Sequence, residues 1–439
     1  MEFQKLIDLA KKEKIEDIEI YYSEGKTLKI DLFNGEVEKT TIHNSSVMSV
    51  RAIYNGKMSY LTFEDKDMDL LTIVNKIKEN AESLTTLEEF EIFGGSESYP
   101  ELPKVEGGFD KVSISEKVAL LKEAEKVAKG MDSRIVLLPN CSYSENTEKV
   151  TIVNSKGLNL TKGAEYAYIV LAAVAKEGES VQNAFEIKVA LKYEELDPKV
   201  LAKKAVENAV AMLGAETIES KTYPCIIENE AMGDLLGGFA SMFTGEAALK
   251  RLTSLIGKEG QKIMQDNVSI IDDPLIPDSP NSQPFDDEGV ACYKKAVVEN
   301  GVFKTFLHNL KTAKAFKTTS TGNGVKSGAI GTRGINFYIE PGQKTKEELI
   351  ASIDEGLLIT SLSGLHAGLN PISGDFSAQS SGFYIKNGKI ERPVTLIVVS
   401  GNFLKMMNQI DEIGSDLYLS YNGIGAPSIK FNGLPVSGK

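Results

Sequence analysis

The sequence predicts an α+β fold. Antiparallel sheets with covering helices fill the N-terminal half, and a mainly antiparallel β domain follows. Three observations carry this. Runs of strict apolar–polar alternation are joined by Asn-Gly dipeptides. Segments of helical period with capping signals separate those runs. From residue 220 onward, glycine-rich turns replace most of the helical periodicity.

The elements follow in chain order. Phe3, Leu6, Ile7 and Ala10 recur at helical spacing and predict an opening helix. Ile18, Ile20 and Tyr22 alternate with polar residues, as do Leu28, Ile30 and Leu32, so strands follow. Asn34-Gly35 and Asn55-Gly56 sit between alternating runs and suit two-residue turns, where both positions need positive φ. Leu70, Leu71, Val74, Ile77 and Ala81 predict a second helix. Glycine, proline and serine over 94–110 break all periodicity and mark a linker. Ser113 with Glu116 forms a capping box that starts a helix, and Gly130 stops it. Hairpin strands fill 135–193, with the apolar run 166–175 as a buried strand. Asp197-Pro198 opens a further helix that Gly214 closes.

Beyond 220 we expect one helix near 229–250, another near 345–355, and hairpins at VVENGVFKTF and GFYIKNGKIERPV. Asn-Gly recurs at 300–301, 387–388, 422–423 and 432–433. The expected domains are 1–105, 106–219 and 220–439.

Composition limits the function. The 439 residues carry 49 basic and 62 acidic side chains, a net charge of −13, which disfavours direct nucleic-acid binding. Three histidines leave almost no material for a multi-histidine zinc site. Cys141, Cys225 and Cys292 lie far apart without a CxxC pair, so they read as half-buried thiols of a cytoplasmic protein. The start shows no signal peptide, and the longest apolar run is far short of the roughly 20 residues of a membrane span.

Gly322-Asn323-Gly324 with Gly328 resembles a dinucleotide loop, but its last spacing is wrong, and a flexible loop over a groove is the better reading. His366 lies near Ser373, Asp375 and Ser377, yet sequence proximity says little about the geometry of a triad. We read it as a loop histidine beside bound peptide or a partner, and His308 and His43 as structural or surface residues. The acids Asp272, Asp273, Asp278, Asp286, Asp287 and Glu288 could hold a hard cation. Proline and serine around them favour solvated turns instead.

The segment Gly368-Leu369-Asn370-Pro371-Ile372-Ser373-Gly374-Asp375-Phe376-Ser377, then SGFYIKNGKIERPV and Ser400-Gly401-Asn402-Phe403, resembles the PmbA/TldD family. Upstream, PFDDEG at 284–289, VENG at 298–301 and TGNG at 321–324 match the same family in the same order. The resemblance covers essentially the whole chain. The family's metalloprotease kind carries His-Glu-x-x-x-His on a helix, with a cysteine near the C-terminus as third ligand. The stretch here that matches reads Asn229-Glu230-Ala231-Met232-Gly233-Asp234, and SYNGIGAPSIKFNG holds no cysteine.

The resemblance therefore implies the zinc-free PmbA (TldE) type, with Asn229, Glu230 and Asp234 as degenerate metal-motif positions and Glu230 as a remnant without a metal-bound water to activate. It implies no cofactor in this chain, zinc only in a TldD-type sister subunit, and a dimer with that sister or with itself. Unfolded peptides would be held as an added β-strand. Groove-lining candidates are Thr321, Gly322, Asn323, Gly324, His366, Gly368, Asn370, Ser373, Gly374 and Asp375. Two other functions stay open: an independent hydrolase using carboxylates and another metal or His366, and a binding module linked to DNA gyrase, the family's older description. Mixed Lys/Glu segments weaken the last, because they make a solvated surface rather than a phosphate-like track. We favour the peptidase subunit.

Overall fold

The computed structural model describes residues 3–64, 68–85 and 91–439. Helix α1 (Phe3–Lys12) buries Leu6, Ile7 and Ala10. Strands β1 (Asp17–Phe33), β2 (Glu36–Tyr54) and β3 (Lys57–Phe63) follow, then α2 (Leu70–Ser83). Asn34, Gly35, Asn55 and Gly56 all take positive φ at the two turns, as their chemistry predicts. Helix α3 (Ile114–Met131) starts on the Ser113/Glu116 capping box and runs one residue past Gly130. Strands β4 (Ile135–Asn154), β5 (Asn159–Glu177) and β6 (Ser180–Ala190) meander to α4 (Pro198–Ala211), whose first N–H groups bond to the Asp197 carboxylate.

These six strands form one antiparallel sheet in the order β3-β2-β1-β4-β5-β6. The two alternating runs of the sequence are a single strand, β1, of 17 residues. Its even-numbered side chains share one face. Ile18 and Ile20 enter a core with α1 and α2, whereas Leu28, Ile30 and Leu32 enter a second core with α3 and α4. On the opposite face, Tyr21, Val150, Ile152 and Leu158 pack with Tyr99 against Phe285. That contact seats the C-terminal domain on the sheet.

The C-terminal domain runs β7 (Lys221–Ile227), α5 (Asn229–Phe239), α6 (Gly245–Leu249), β8 (Ile270–Asp272), β9 (Lys295–Glu299), β10 (Val302–Phe303), α7 (Leu310–Phe316), β11 (Gly324–Ser327), β12 (Ala329–Thr332), β13 (Phe337–Ile339), α8 (Lys346–Ala351) and β14 (Glu355–Ser363). It continues α9 (Leu365–Gly368), β15 (Leu369–Asn370), β16 (Asp375–Lys386), β17 (Lys389–Asn402), α10 (Phe403–Met407), β18 (Ile410–Ile413), β19 (Tyr418–Leu419), β20 (Ile424–Ala426) and β21 (Ile429–Ser437). Strands β14, β7, β21, β17 and β16 close into a ring, because β16 also pairs with β14. A second sheet, β10-β9-β8-β13-β20-β19, shares a core with the ring, and α5 is buried in it through Leu235, Leu236 and Phe239.

Several expectations for this half need correction. The helix near 229–250 is broken, because Thr244 leaves helical geometry and caps α6 with its side chain. The helix near 345–355 stops at Ala351, and β14 begins at Glu355. Asn432-Gly433 is not a turn but an irregularity inside β21, where its register against β7 slips. The segment around 322–328 is not a loop; β11 and β12 form a hairpin with Gly328 (φ 79°) at its tip. Among the described residues, no helix is long and apolar enough to cross a membrane.

Candidate functional site

Helix α5 starts at the rim of the strand ring, where the Glu228 N–H donates to the Ile359 carbonyl at 2.9 Å. Asn229 is committed on both sides. Its Oδ1 accepts from the Glu230 N–H at 2.8 Å, and its Nδ2 donates to the Asp416 carbonyl at 2.8 Å. Glu230 reaches α4, where the Lys204 ammonium lies 3.1 Å from it and 3.3 Å from Glu186 of β6. Asp234, one turn on, stands exposed. Flanking protein and then the Glu230 charge hold its carboxyl above the usual range. Burial, then Glu230, likewise raises the Tyr418 phenol. The helix mouth is thus an acidic patch gathered around one ammonium.

The glycines of α5 let other segments close on it. A Cβ on Gly238 would collide with Leu369, so the 365–370 segment lies directly beside the helix. Strand β20 crosses the other side, with the Gly425 Cα and Ala426 N 3.7 Å from where a Gly233 Cβ would stand. The helix and the C-terminal strand that the resemblance pairs around a metal therefore do meet. The residues at that meeting do not fit zinc, which takes imidazole, thiolate or carboxylate donors in a tetrahedron. Gly425 and Ala426 offer no side-chain donor, Asn229 is already bonded both ways, and the cation between Glu186 and Glu230 is the Lys204 ammonium. Among the described residues, no group of three or more His, Cys, Asp or Glu is arranged to hold a metal ion.

The groove candidates separate into two sets. His366 is exposed on α9, beside α5. Asn370 accepts from the Ile372 and Ser373 N–H groups, and Ser373 Oγ donates to Asp375 at 2.8 Å. Asp375 also accepts from Asn402, and these two bonds hold its carboxyl below the usual range. Gly368 and Gly374 shape the turn; a Gly368 Cβ would strike the Ser377 carbonyl. Ser373 and Asp375 thus satisfy each other and Asn402. By contrast, Thr321, Gly322, Asn323 and Gly324 are buried. The Asn323 amide donates to Asp272 and to the Arg333 carbonyl, and accepts from Thr321.

That second set belongs to a polar clasp that the sequence reading took for solvated turns. Asp272 is fully buried and accepts from the Lys295 ammonium (2.8 Å), the Asn323 amide (2.8 Å) and the Ile335 N–H (2.6 Å). Asp286, also fully buried, accepts from the Glu288, Val290 and Gly324 N–H groups. Glu288 accepts from Arg51 of β2 and from the Leu310 N–H, and Arg51 also holds Glu19 at 2.6 Å. Asp287 pairs with Lys162 of β5 at 2.7 Å. Burial, then the Glu288 charge, raises Asp286; burial also raises Glu288. The turn at Asp286 is made by local donors, but those that complete the burial of these acids lie as far as 237 positions away along the chain, outside any local window. His308 sits nearby, 2% exposed, and burial pushes its imidazole down to about 4. His43 is an exposed residue of β2.

The architecture is a three-part chain: a helix-covered sheet, a closed strand ring and a glycine-rich helix at the ring's rim. Models of PmbA/TldA metallopeptidase domain 1, central domain and C-terminal domain match residues 18–82, 107–213 and 220–438. The chain belongs to the PmbA/TldD family. It is 27% identical over 430 residues to a metalloprotease PmbA homolog of Buchnera aphidicola, covering 96% of this chain and 93% of that one. A Thermotoga maritima structure, provisionally described as a modulator of a DNA gyrase, superposes with a TM-score of 0.93 at 33% identity, covering 99% of both chains. TldE of Thermococcus kodakarensis shares the fold, with a TM-score of 0.91 at 24% identity over 99% of this chain and 100% of that one.

Proposed function

We propose that this chain is a PmbA/TldE-type subunit of a TldD/PmbA-family peptidase complex that degrades or processes unfolded peptides. It lacks a zinc site of its own and works with a zinc-bearing TldD-type sister, or as a C₂ homodimer where no sister is present. The observation that carries this reading is the donor set where α5 meets β20: Asn229 is bonded both ways, and Gly425 and Ala426 offer no side-chain ligand. The partly exposed 366–375 segment beside α5 supports a groove that takes peptide as an added strand. Three buried thiols suit a cytoplasmic setting. The test is metal analysis of the purified chain together with peptide degradation measured with and without the sister. The reading expects substoichiometric zinc and degradation only in the mixture. Zinc-dependent proteolysis by the chain alone would sink it.

A further inference from the structure

A cleft runs between the six-stranded sheet and the C-terminal domain, away from α5. Two cavities of about 240 and 720 Å³ meet there and share Glu148, Lys162, Gly163, Ala164, Pro280 and Ser282. The larger falls within the roughly 300–1,000 Å³ of ordinary ligand sites. Prolines 103, 277, 280 and 284 line it and give rigid walls with few N–H groups.

The smaller cavity has an uneven charge balance. Lys162 and Asp287 neutralise each other, and Asp287 also accepts from the Tyr21 hydroxyl and the Lys326 N–H. Two cations on the hairpin side are left over. The Lys326 ammonium meets the Gly328 carbonyl at 3.1 Å and the Tyr21 ring at 5.7 Å, with no carboxylate in ion-pair range among the described residues. Arg333, just past β12, likewise has no ion pair among them. Burial and the Arg51 charge behind it depress the Lys326 ammonium, so an incoming anion would relieve it. In a chain of net charge −13, this is a locally positive cleft.

We propose that this cleft anchors the C-terminal carboxylate of an extended peptide against Lys326 and Arg333, with the preceding residues lying along the proline-lined cavity. Glu148 on the opposite wall repels a misplaced carboxylate and so fixes which end enters. The proposal rests on the reading of the chain as a peptide-handling subunit. Its test is fluorescence anisotropy on the full chain, using a short glycine–alanine–serine peptide labelled at its N-terminus, as free acid and as C-terminal amide. Each charged hydrogen bond contributes about 1.5–3 kcal/mol, roughly a tenfold change in affinity or more. We expect at least a tenfold preference for the free acid, weakening with salt. The preference should be lost in a Lys326→Gln/Arg333→Gln variant of unchanged unfolding midpoint and regained in Lys326→Arg. Equal binding of acid and amide, no binding of either, or an unaffected double variant overturns the proposal. Sister-dependent degradation measured in parallel separates the two ideas: if it persists while the acid preference is absent, only the cleft assignment falls.

Discussion

The acids at the mouth of α5 and those of the Asp272–Glu288 clasp look alike in sequence, yet the fold treats them oppositely. Glu230 and Asp234 stand exposed, and Glu230 alone of the two reaches an ammonium, that of Lys204. Asp272, Asp286 and Glu288 are buried, and each accepts backbone N–H bonds from a distant segment. A buried carboxylate is tolerable only when donors saturate it. The clasp carboxylates are therefore structural fixtures that pin the hairpin, α7 and β2 together. The α5 acids keep the freedom to meet something else.

The comparison breaks most visibly if Asp272 is removed. Asp272→Ala strands a buried ammonium and two buried N–H donors, and losing one partner of a buried pair costs about 3–5 kcal/mol. The midpoint of urea unfolding should fall accordingly. A shift under about 1 kcal/mol would mean that the clasp relaxes easily, and the contrast with α5 would fail.

The His308 contribution should respond to acid next. His308 is held neutral down to about pH 4, against an unfolded value near 6.5. Its folded pKa is depressed, so its stabilisation is fully present above about pH 6.5 and is lost as pH falls toward 4. The loss is at most about 3.4 kcal/mol, from about 1.36 kcal/mol per pKa unit. Raised Asp286 and Glu288 act with the opposite sign, weakening the fold as pH rises through their titration. Stability measured from pH 4 to 7 in the wild type and in His308→Gln isolates the histidine: the difference between the two curves should grow with pH over that window. Parallel curves would assign the acid response to other groups.

Local physics made the first half legible. The alternation on β1, the Ser113/Glu116 box and two Asn-Gly turns are decided within a few residues, and each stands as read. The closed ring was not legible, because it depends on β16 returning to β14 across the chain. The clasp was legible only in part: Asp286 is the turn former its chemistry announces, accepting from the Glu288 and Val290 N–H groups, but its burial depends on Gly324 arriving from a distant segment to donate to it. At the candidate site, the helix at Asn229 and its contact with β20 agree with the alignment of motifs. The Lys204 ammonium that fills the acidic mouth comes from α4, and no spacing within the motif announces it.

At α5 the effects should be smaller. Lys204→Met removes the ammonium that Glu186 and Glu230 share; Glu230 is exposed but Glu186 is buried, so the cost should be about 1–2 kcal/mol, between an exposed pair and a buried hydrogen bond to a charge. Asp234 then feels an uncompensated Glu230, and its carboxyl should rise further in an NMR titration. No change there would show that Lys204 does not set the field at the mouth.

Glu230→Gln should do least, and its reasons nearly cancel. The change gives up an exposed ion pair and a favourable charge in the first turn of α5. It also relieves the i,i+4 repulsion with Asp234, while Lys204 retains Glu186. The net change in unfolding free energy should stay within about 0.5 kcal/mol. Sister-dependent peptide degradation should be unaltered, because a glutamate neutralised by an ammonium has no metal-bound water to activate. A fall in that activity of roughly a hundredfold or more would be the size of a lost general acid–base group. It would place chemistry on Glu230 and make the exposed cluster an active centre in its own right.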